Sequence, residues 1–160
     1  MDIGLNICDG VRVKIGDSFE DTIKKLDDMN IKYNIPYMGR DVLSDNIGEQ
    51  SVIIFLEEYG VELNVVNDEV TYIRTSNINS NAVFKVDVMD KSVNILKNII
   101  KKTADVFEIS SDDIILESFE GKNLNTTLKI RKDKDTFIRI NIIFNMHNET
   151  AHIHTIRLTD

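Results

Sequence analysis

Hydrophobic and polar residues follow the same succession of patterns twice along the chain: a helical spacing, then a series of two-residue alternations. In the first block, the helical spacing extends from Ser18 to about Asn30. Ser18 provides an N-cap hydroxyl, and Asp21 stands at the capping-box position three residues later. The alternations that follow predict strands over residues 52–57, 61–66 and 70–75.

The second block predicts a helix from about Lys91 to Ala104. The strands predicted after this helix lie near residues 113–119, 125–131, 136–145 and 151–158. A short strand also precedes each helix, over residues 11–15 and 83–88. Because helices and antiparallel meanders are segregated along the chain, we predict the α+β class. The fold would consist of two similar halves, each a helix plus an antiparallel meander, with the helices packed on the sheet.

Residues 76–81 are polar and aperiodic, and they mark the boundary between the halves. The first half then comprises residues 1–80 and the second half residues 81–160, and we expect the two to form one compact unit. Charge is divided unevenly between them. The first half contains 15 acidic and 7 basic side chains, whereas the second contains 12 of each. The entire net charge of −8 therefore belongs to the acidic first half.

This charge disfavours nucleic acid and anionic membranes as partners, because their phosphates would be repelled. It favours a basic protein partner. A single cysteine, Cys8, excludes an internal disulfide and fits a reducing compartment. The N-terminal residues lack the pattern of a signal peptide, and no apolar run approaches the ~20 residues that span a bilayer. We therefore predict a cytoplasmic protein, either a monomer or a dimer.

The stretch from Tyr33 to Gln50 shows no sustained period and contains the only proline, which predicts a long loop. Tyr37 and Met38 in this loop, with Tyr59 at a hairpin tip, are expected to be exposed anchors of a protein interface. Acidic side chains would surround them. The alternative is that the tyrosines cover the sheet edge and the carboxylates maintain solubility. The predicted partner-binding residues are Tyr37, Met38, Asp41, Asp45, Glu49, Glu57, Glu58, Tyr59 and Glu62.

Three histidines form the strongest candidate for chemistry. His152 and His154 are two residues apart in a predicted strand, so their rings would face the same side. With His147 or Glu149 from the adjacent turn they could ligate zinc or another divalent metal, although solvated histidines on a final strand are commoner. Neither an activated nucleophile nor a phosphate-binding loop is recognisable. We therefore predict no catalytic residues, no metal and no cofactor, with a small metal-dependent enzyme as the third alternative.

Three motifs occur in order between residues 11 and 75 of the chain. They are Ile15-Gly16-Asp17-Ser18 leading into the helix, Gly60-Val61-Glu62-Leu63, and Asn67-Asp68-Glu69-Val70. This region resembles a module of bacterial immunity proteins, which are small cytosolic inhibitors of polymorphic or contact-dependent toxins. The helix-then-meander repeat is also similar to β-lactamase-inhibitor-like modules and outer-membrane assembly lipoproteins. The resemblance implies an inhibitor that binds another protein, and it transfers no functional residue.

From these observations we predict a non-catalytic immunity-type protein that binds and neutralises a cognate basic toxin domain such as a nuclease. The acidic first half would accelerate association with such a partner. The alternative is another acidic interaction module, either an assembly adaptor or a phage-type inhibitor that mimics the charge of nucleic acid.

Overall fold

The computed structural model of the chain describes residues 2–40 and 50–160, without the side chain of Arg40. Two helices are present in these ranges, α1 (Phe19–Asp28) and α2 (Ser92–Phe107). The strands are β1 (Gly4–Cys8), β2 (Val11–Lys14), β3 (Asn34–Arg40), β4 (Gln50–Leu56), β5 (Val61–Val66), β6 (Glu69–Thr75), β7 (Val83–Lys85), β8 (Ile114–Phe119), β9 (Thr126–Arg131), β10 (Phe137–Asn145) and β11 (Thr150–Thr159). Single 3₁₀ turns occupy Glu57–Tyr59, Ser80–Ala82 and Ser111–Asp113.

Within the described ranges, nine strands form one antiparallel sheet in the order β3-β4-β5-β6-β11-β10-β9-β8, and β7 pairs with the start of β11. The meander β3–β6 belongs to the first half and the meander β8–β11 to the second. They join where Ile73 of β6 stands opposite Ile156 of β11, and both side chains are fully buried. The predicted α+β class, with two helix-plus-meander halves and helices packed on the sheet, is confirmed.

The sheet has one buried face and one partly exposed face. On β4, Val52, Ile54 and Leu56 are buried, whereas Ile53 and Phe55 on the opposite face are half-buried. Strand alternation places these two sets on opposite sides of the sheet. We call the half-buried side the outer face. The buried side belongs to a core that also includes residues of the β1–β2 hairpin and of both helices.

The two helices begin in different ways. Ser18 caps α1, and its hydroxyl accepts a hydrogen bond from the Asp21 amide at 3.1 Å, as the sequence predicts. The side chain of Lys91, the residue that precedes α2, makes no capping hydrogen bond. This helix continues to Phe107, three residues beyond the predicted end, and stops where Glu108 adopts a left-handed conformation. Burial of one face sustains α2 without a cap.

Apart from β7, which ends at Lys85 and not at the predicted residue 88, two strands differ from the sequence prediction. The predicted loop after Tyr33 is wrong for its first part, because Asn34–Arg40 forms the edge strand β3. Pro36 interrupts the alternation, yet an edge strand tolerates proline because its outer amides need no strand partner, and the register shifts at this point. The other difference is β1, which pairs with β2 in a hairpin that the prediction did not include.

Candidate functional site

A groove of about 960 Å³ crosses the junction between the two meanders on the outer face. The first half contributes the end of β4, the turn and strand that follow, and the end of β6. The second half contributes the end of β10, the following turn and the start of β11. Ile78 and Met146, one from each half, line the groove and are 64% and 59% exposed. The charged or titratable residues that line the groove are Glu57, Glu62, Arg74, His147, His152 and His154.

A pair of imidazole rings forms part of the second-half wall. His152 Nε2 and His154 Nδ1 lie 3.1 and 3.2 Å from the same atom, the Thr75 carbonyl oxygen. The ring centroids are 5.4 Å apart in an edge-to-face arrangement. The register between β10 and β11 shifts between Asn141 and Ile142, which face Thr155 and Ile153, so His154 is the extra residue of a bulge. Ordinary strand alternation on either side of the buried Ile153 places His154 on the same side of the strand as His152.

The environment of His154 favours the neutral imidazole. Burial lowers the pKa of His154, and the nearby positive charges of protonated His152 and of Arg74 lower it further. The hydrogen bond to the Thr75 carbonyl acts in the opposite direction and raises the pKa of His154, but its effect is smaller than that of burial.

Fixed charges form the opposite wall. Arg74 Nη2 lies 3.2 Å from Glu62 Oε1, and these two residues stand directly opposite each other on β6 and β5. A cross-strand pair of opposite charges stabilises a sheet by a few tenths of a kcal/mol to about 1 kcal/mol. Glu57, the first residue of the 3₁₀ turn after β4, adds a second carboxylate to this wall.

An acidic cleft of about 460 Å³ adjoins the groove. Tyr33, Glu57 and Glu58 are among the residues that line it, together with Lys32. Phe55 and Glu57 line both the cleft and the groove, so the two concavities form one continuous surface. We call the groove and the cleft together the binding surface.

Asp27, near the end of α1, contacts a residue of the cleft. Burial raises the pKa of Tyr33, and a hydrogen bond between its hydroxyl and Asp27 raises it further. Met29 Cε lies 3.7 Å from the position that a Cβ on Gly10 would occupy, which brings the β1–β2 turn beside the end of α1. We define the acidic rim as Asp9, Asp27, Asp28, Glu57 and Glu58. Lys24 offsets part of this charge, because its Nζ lies 2.8 Å from Asp28 Oδ2.

The predicted partner-binding residues occupy three environments. Glu57, Glu58 and Glu62 line the binding surface. Tyr37 and Met38 lie on the edge strand β3, 41% and 58% exposed. Tyr59 is half-buried and packs against the core, and the neighbouring Cys8, followed by burial and Glu58, raises the pKa of its hydroxyl. The remaining predicted residues, Asp41, Asp45 and Glu49, lie outside the described residues.

Sequence reasoning missed part of this surface. It did not place Arg74 or the histidines beside the acidic residues, and it did not include Asp27 or Asp28. One signal for the aspartates was present, since both stand in the last turn of a predicted helix, where negative charge opposes the helix dipole. The histidines and the carboxylates of the groove are separated by about half the chain and meet only through the pairing of β6 with β11.

Among the residues that the structure describes, no group of three or more His, Cys, Asp or Glu side chains is arranged to hold a metal ion. His147, His152 and His154 line one groove, as the sequence suggested, but they do not form such a group. Neither of the two described helices combines the length and the apolar character that crossing a membrane requires.

Comparison with known proteins yields no relative of this chain. No family model, no curated protein and no solved structure matches it.

Proposed function

We propose that this protein is a non-catalytic, cytosolic inhibitor of the immunity type, which binds and neutralises a basic protein domain such as a nuclease toxin. The observation that carries the proposal is the continuity of the groove with the acidic cleft through Phe55 and Glu57. A partner with positively charged residues could place them along the acidic rim while its apolar side chains enter the groove.

The composition of the surface supports a protein partner. Protein interfaces combine a central region of apolar anchors with a polar rim that stays accessible to water. Here the exposed side chains of Ile78 and Met146 lie in the groove, and the carboxylates of Glu57 and Glu58 line the adjoining cleft. Carboxylates at the rim of an interface mainly accelerate association, whereas buried anchors slow dissociation.

The position of two aspartates also supports a role in binding. Asp27 and Asp28 end α1, where negative charge interacts unfavourably with the helix dipole and costs about 0.3–1 kcal/mol per charge at low salt. The ion pair of Asp28 with Lys24 and the hydrogen bond of Asp27 with Tyr33 offset part of this cost. Negative charge that remains at this helix end would serve an encounter with a cationic partner.

The experiment compares two charge reversals in equivalent settings. Glu57 and Glu58 are exposed in one 3₁₀ turn, and Asp112 and Asp113 are exposed in another 3₁₀ turn of the second half. The variants E57K/E58K and D112K/D113K change the net charge equally. We expect the wild type and D112K/D113K to bind the protein encoded by the neighbouring gene with similar rate constants. We expect E57K/E58K to associate at least about tenfold more slowly at low salt.

Inhibition distinguishes this function from that of an adaptor. Cells that express a toxic neighbouring domain should survive when the wild type is co-expressed and should lose protection with E57K/E58K. A bound domain whose activity is unchanged would favour the adaptor. Equal association rates for the two charge reversals would refute the role of the acidic rim.

A further inference from the structure

All three histidines of the chain line the groove. Histidine is the side chain that ordinarily titrates between about pH 5 and 8. Aspartate and glutamate ordinarily titrate near pH 4, well below this range. A change in ligand affinity between pH 7.5 and 5.5 would therefore reflect the histidines of the groove and not the carboxylates of the acidic rim.

The hydrogen bonds of the histidine pair determine what the rings can offer a ligand. A carbonyl oxygen only accepts hydrogen bonds, so the two ring nitrogens beside the Thr75 oxygen, His152 Nε2 and His154 Nδ1, carry the protons. In the neutral rings the other nitrogens, His152 Nδ1 and His154 Nε2, then carry lone pairs and can only accept. The neutral pair thus adds acceptors to the groove that the carboxylates also line.

Protonation of the histidines would reverse the sign of the net charge in the groove. With neutral rings, two carboxylates (Glu57 and Glu62) and one guanidinium (Arg74) leave a net charge of −1. Protonation of the three imidazoles would change this to +2. The groove would then repel the cations that it attracts at neutral pH, and the two accepting nitrogens of the pair would become donors.

We propose that the groove receives an arginine or lysine side chain of the basic partner, and that protonation of its histidines releases that side chain. This inference rests on the proposed function, because it specifies which chemistry of the partner enters the surface described above. Glu62 and Glu57 supply the negative charge, and the accepting nitrogens of the histidine pair supply additional hydrogen-bond acceptors. Arg74 stays paired with Glu62 and limits how many cations can enter.

The coupling between proton binding and ligand binding determines the direction of the pH effect on affinity. A bound cation disfavours the imidazolium, so ligand binding lowers the pKa of a neighbouring histidine. Affinity is therefore highest above the histidine pKa and falls as the pH decreases through it. For each histidine that must lose its proton, the affinity falls by at most about tenfold per pH unit.

The test uses a fluorescently labelled hexa-arginine peptide and fluorescence polarisation at pH 7.5 and 5.5, at constant ionic strength. We expect the wild type to bind the peptide at least about tenfold more weakly at pH 5.5 than at pH 7.5. A change of this size is expected when peptide binding is coupled to deprotonation of one or two histidines. The variant H152Q/H154Q should lose most of this pH dependence. E58K, a variant of the acidic cleft outside the groove lining, should bind more weakly at both pH values by a similar factor.

A second measurement needs no variant and so does not depend on the stability of H152Q/H154Q. The ring proton resonances of His152 and His154 are followed by NMR through a pH titration, with and without saturating peptide. Binding should lower the pKa of at least one of the two rings.

The outcomes separate this inference from the proposed function. Peptide binding with equal affinity at both pH values, or histidine titrations that the peptide leaves unchanged, would overturn the inference and leave the acidic rim as the binding element. Tighter binding at pH 5.5 would also overturn it. Absence of peptide binding at either pH would contradict both the inference and the proposed affinity for a basic partner.

Discussion

The two walls of the groove differ in how their charge responds to the solution. The wall from the first half contains Glu57, Glu62 and Arg74, residue types that keep their charge across the neutral range. The wall from the second half contains the histidines, which can change theirs. Neither half alone would form a surface that is acidic at neutral pH and responsive to acid. The comparison shows that net charge per half, −8 against zero, describes the halves but not the site that they build together.

The halves also resemble each other in one respect that matters for the groove. Each contributes a four-stranded meander whose last strand belongs to the β6–β11 pair, so the two walls are held by one continuous sheet. A change at this junction should therefore affect both walls, whereas a change within one wall should affect that wall alone.

The largest expected effect comes from the junction between the halves. Ile156→Ala removes a fully buried side chain opposite Ile73 and should lower the free energy of unfolding by about 2–5 kcal/mol, because it leaves a cavity. Urea denaturation should show a single transition for the wild type and for the variant. Ile78→Ala, at a site that is 64% exposed, is the control and should change stability by less than about 0.5 kcal/mol. Two separate transitions would show that the halves do not share one core.

The next effect concerns the wall from the first half. Gly60 has φ of +61°, and a Cβ at this position would collide with Ser76 Oγ. Gly60→Ala should therefore cost at least about 1–2 kcal/mol from the left-handed conformation alone, and it should weaken partner binding because Gly60 and Ser76 line the groove. Gly121→Ala, where a Cβ meets no atom within 4 Å, is the control and should be nearly neutral. Equal stabilities of the two variants in thermal unfolding would contradict this account.

A smaller effect concerns the wall from the second half. The folded state lowers the pKa of His154, so protons bind the unfolded chain more readily between the folded and unfolded pKa values. Stability should therefore fall as the pH decreases below about 6.5, the ordinary histidine pKa, and level off below the folded pKa. We expect a loss of less than about 1 kcal/mol, because His154 is only partly buried and solvent screens its charge. His154→Gln should flatten the dependence measured by urea denaturation at pH 7.5 and 5. An equally steep dependence in this variant would exclude His154 as its source.

The smallest expected effect tests whether the acidic rim serves binding at the expense of stability. Asp27→Asn should raise stability by about 0.3 kcal/mol or more at low salt, because it removes negative charge from the end of α1. The asparagine oxygen can still accept the Tyr33 hydrogen bond. The gain should shrink in 0.5 M salt, and association with a basic partner should slow. A less stable variant at low salt would show that Asp27 stabilises the fold.

Local signals explain which parts of the fold were predictable. Ser18 and Asp21 identify the start of α1 because capping depends on residues three positions apart, and the structure forms that hydrogen bond. The prediction failed at β3, because Pro36 and the register shift conceal a strand whose existence depends on its pairing with β4. It also omitted β1, a five-residue strand held by the hairpin that it forms with β2.

Spacing, caps and counts along the chain were enough to predict the element types, the two-fold succession of helix and meander, and the uneven division of charge. Which charges act together depends on how distant strands pair. Glu62 and His154 are 92 positions apart and line one groove because β6 pairs with β11. Strand pairing over such a distance follows from the burial of a common core, which no local pattern encodes.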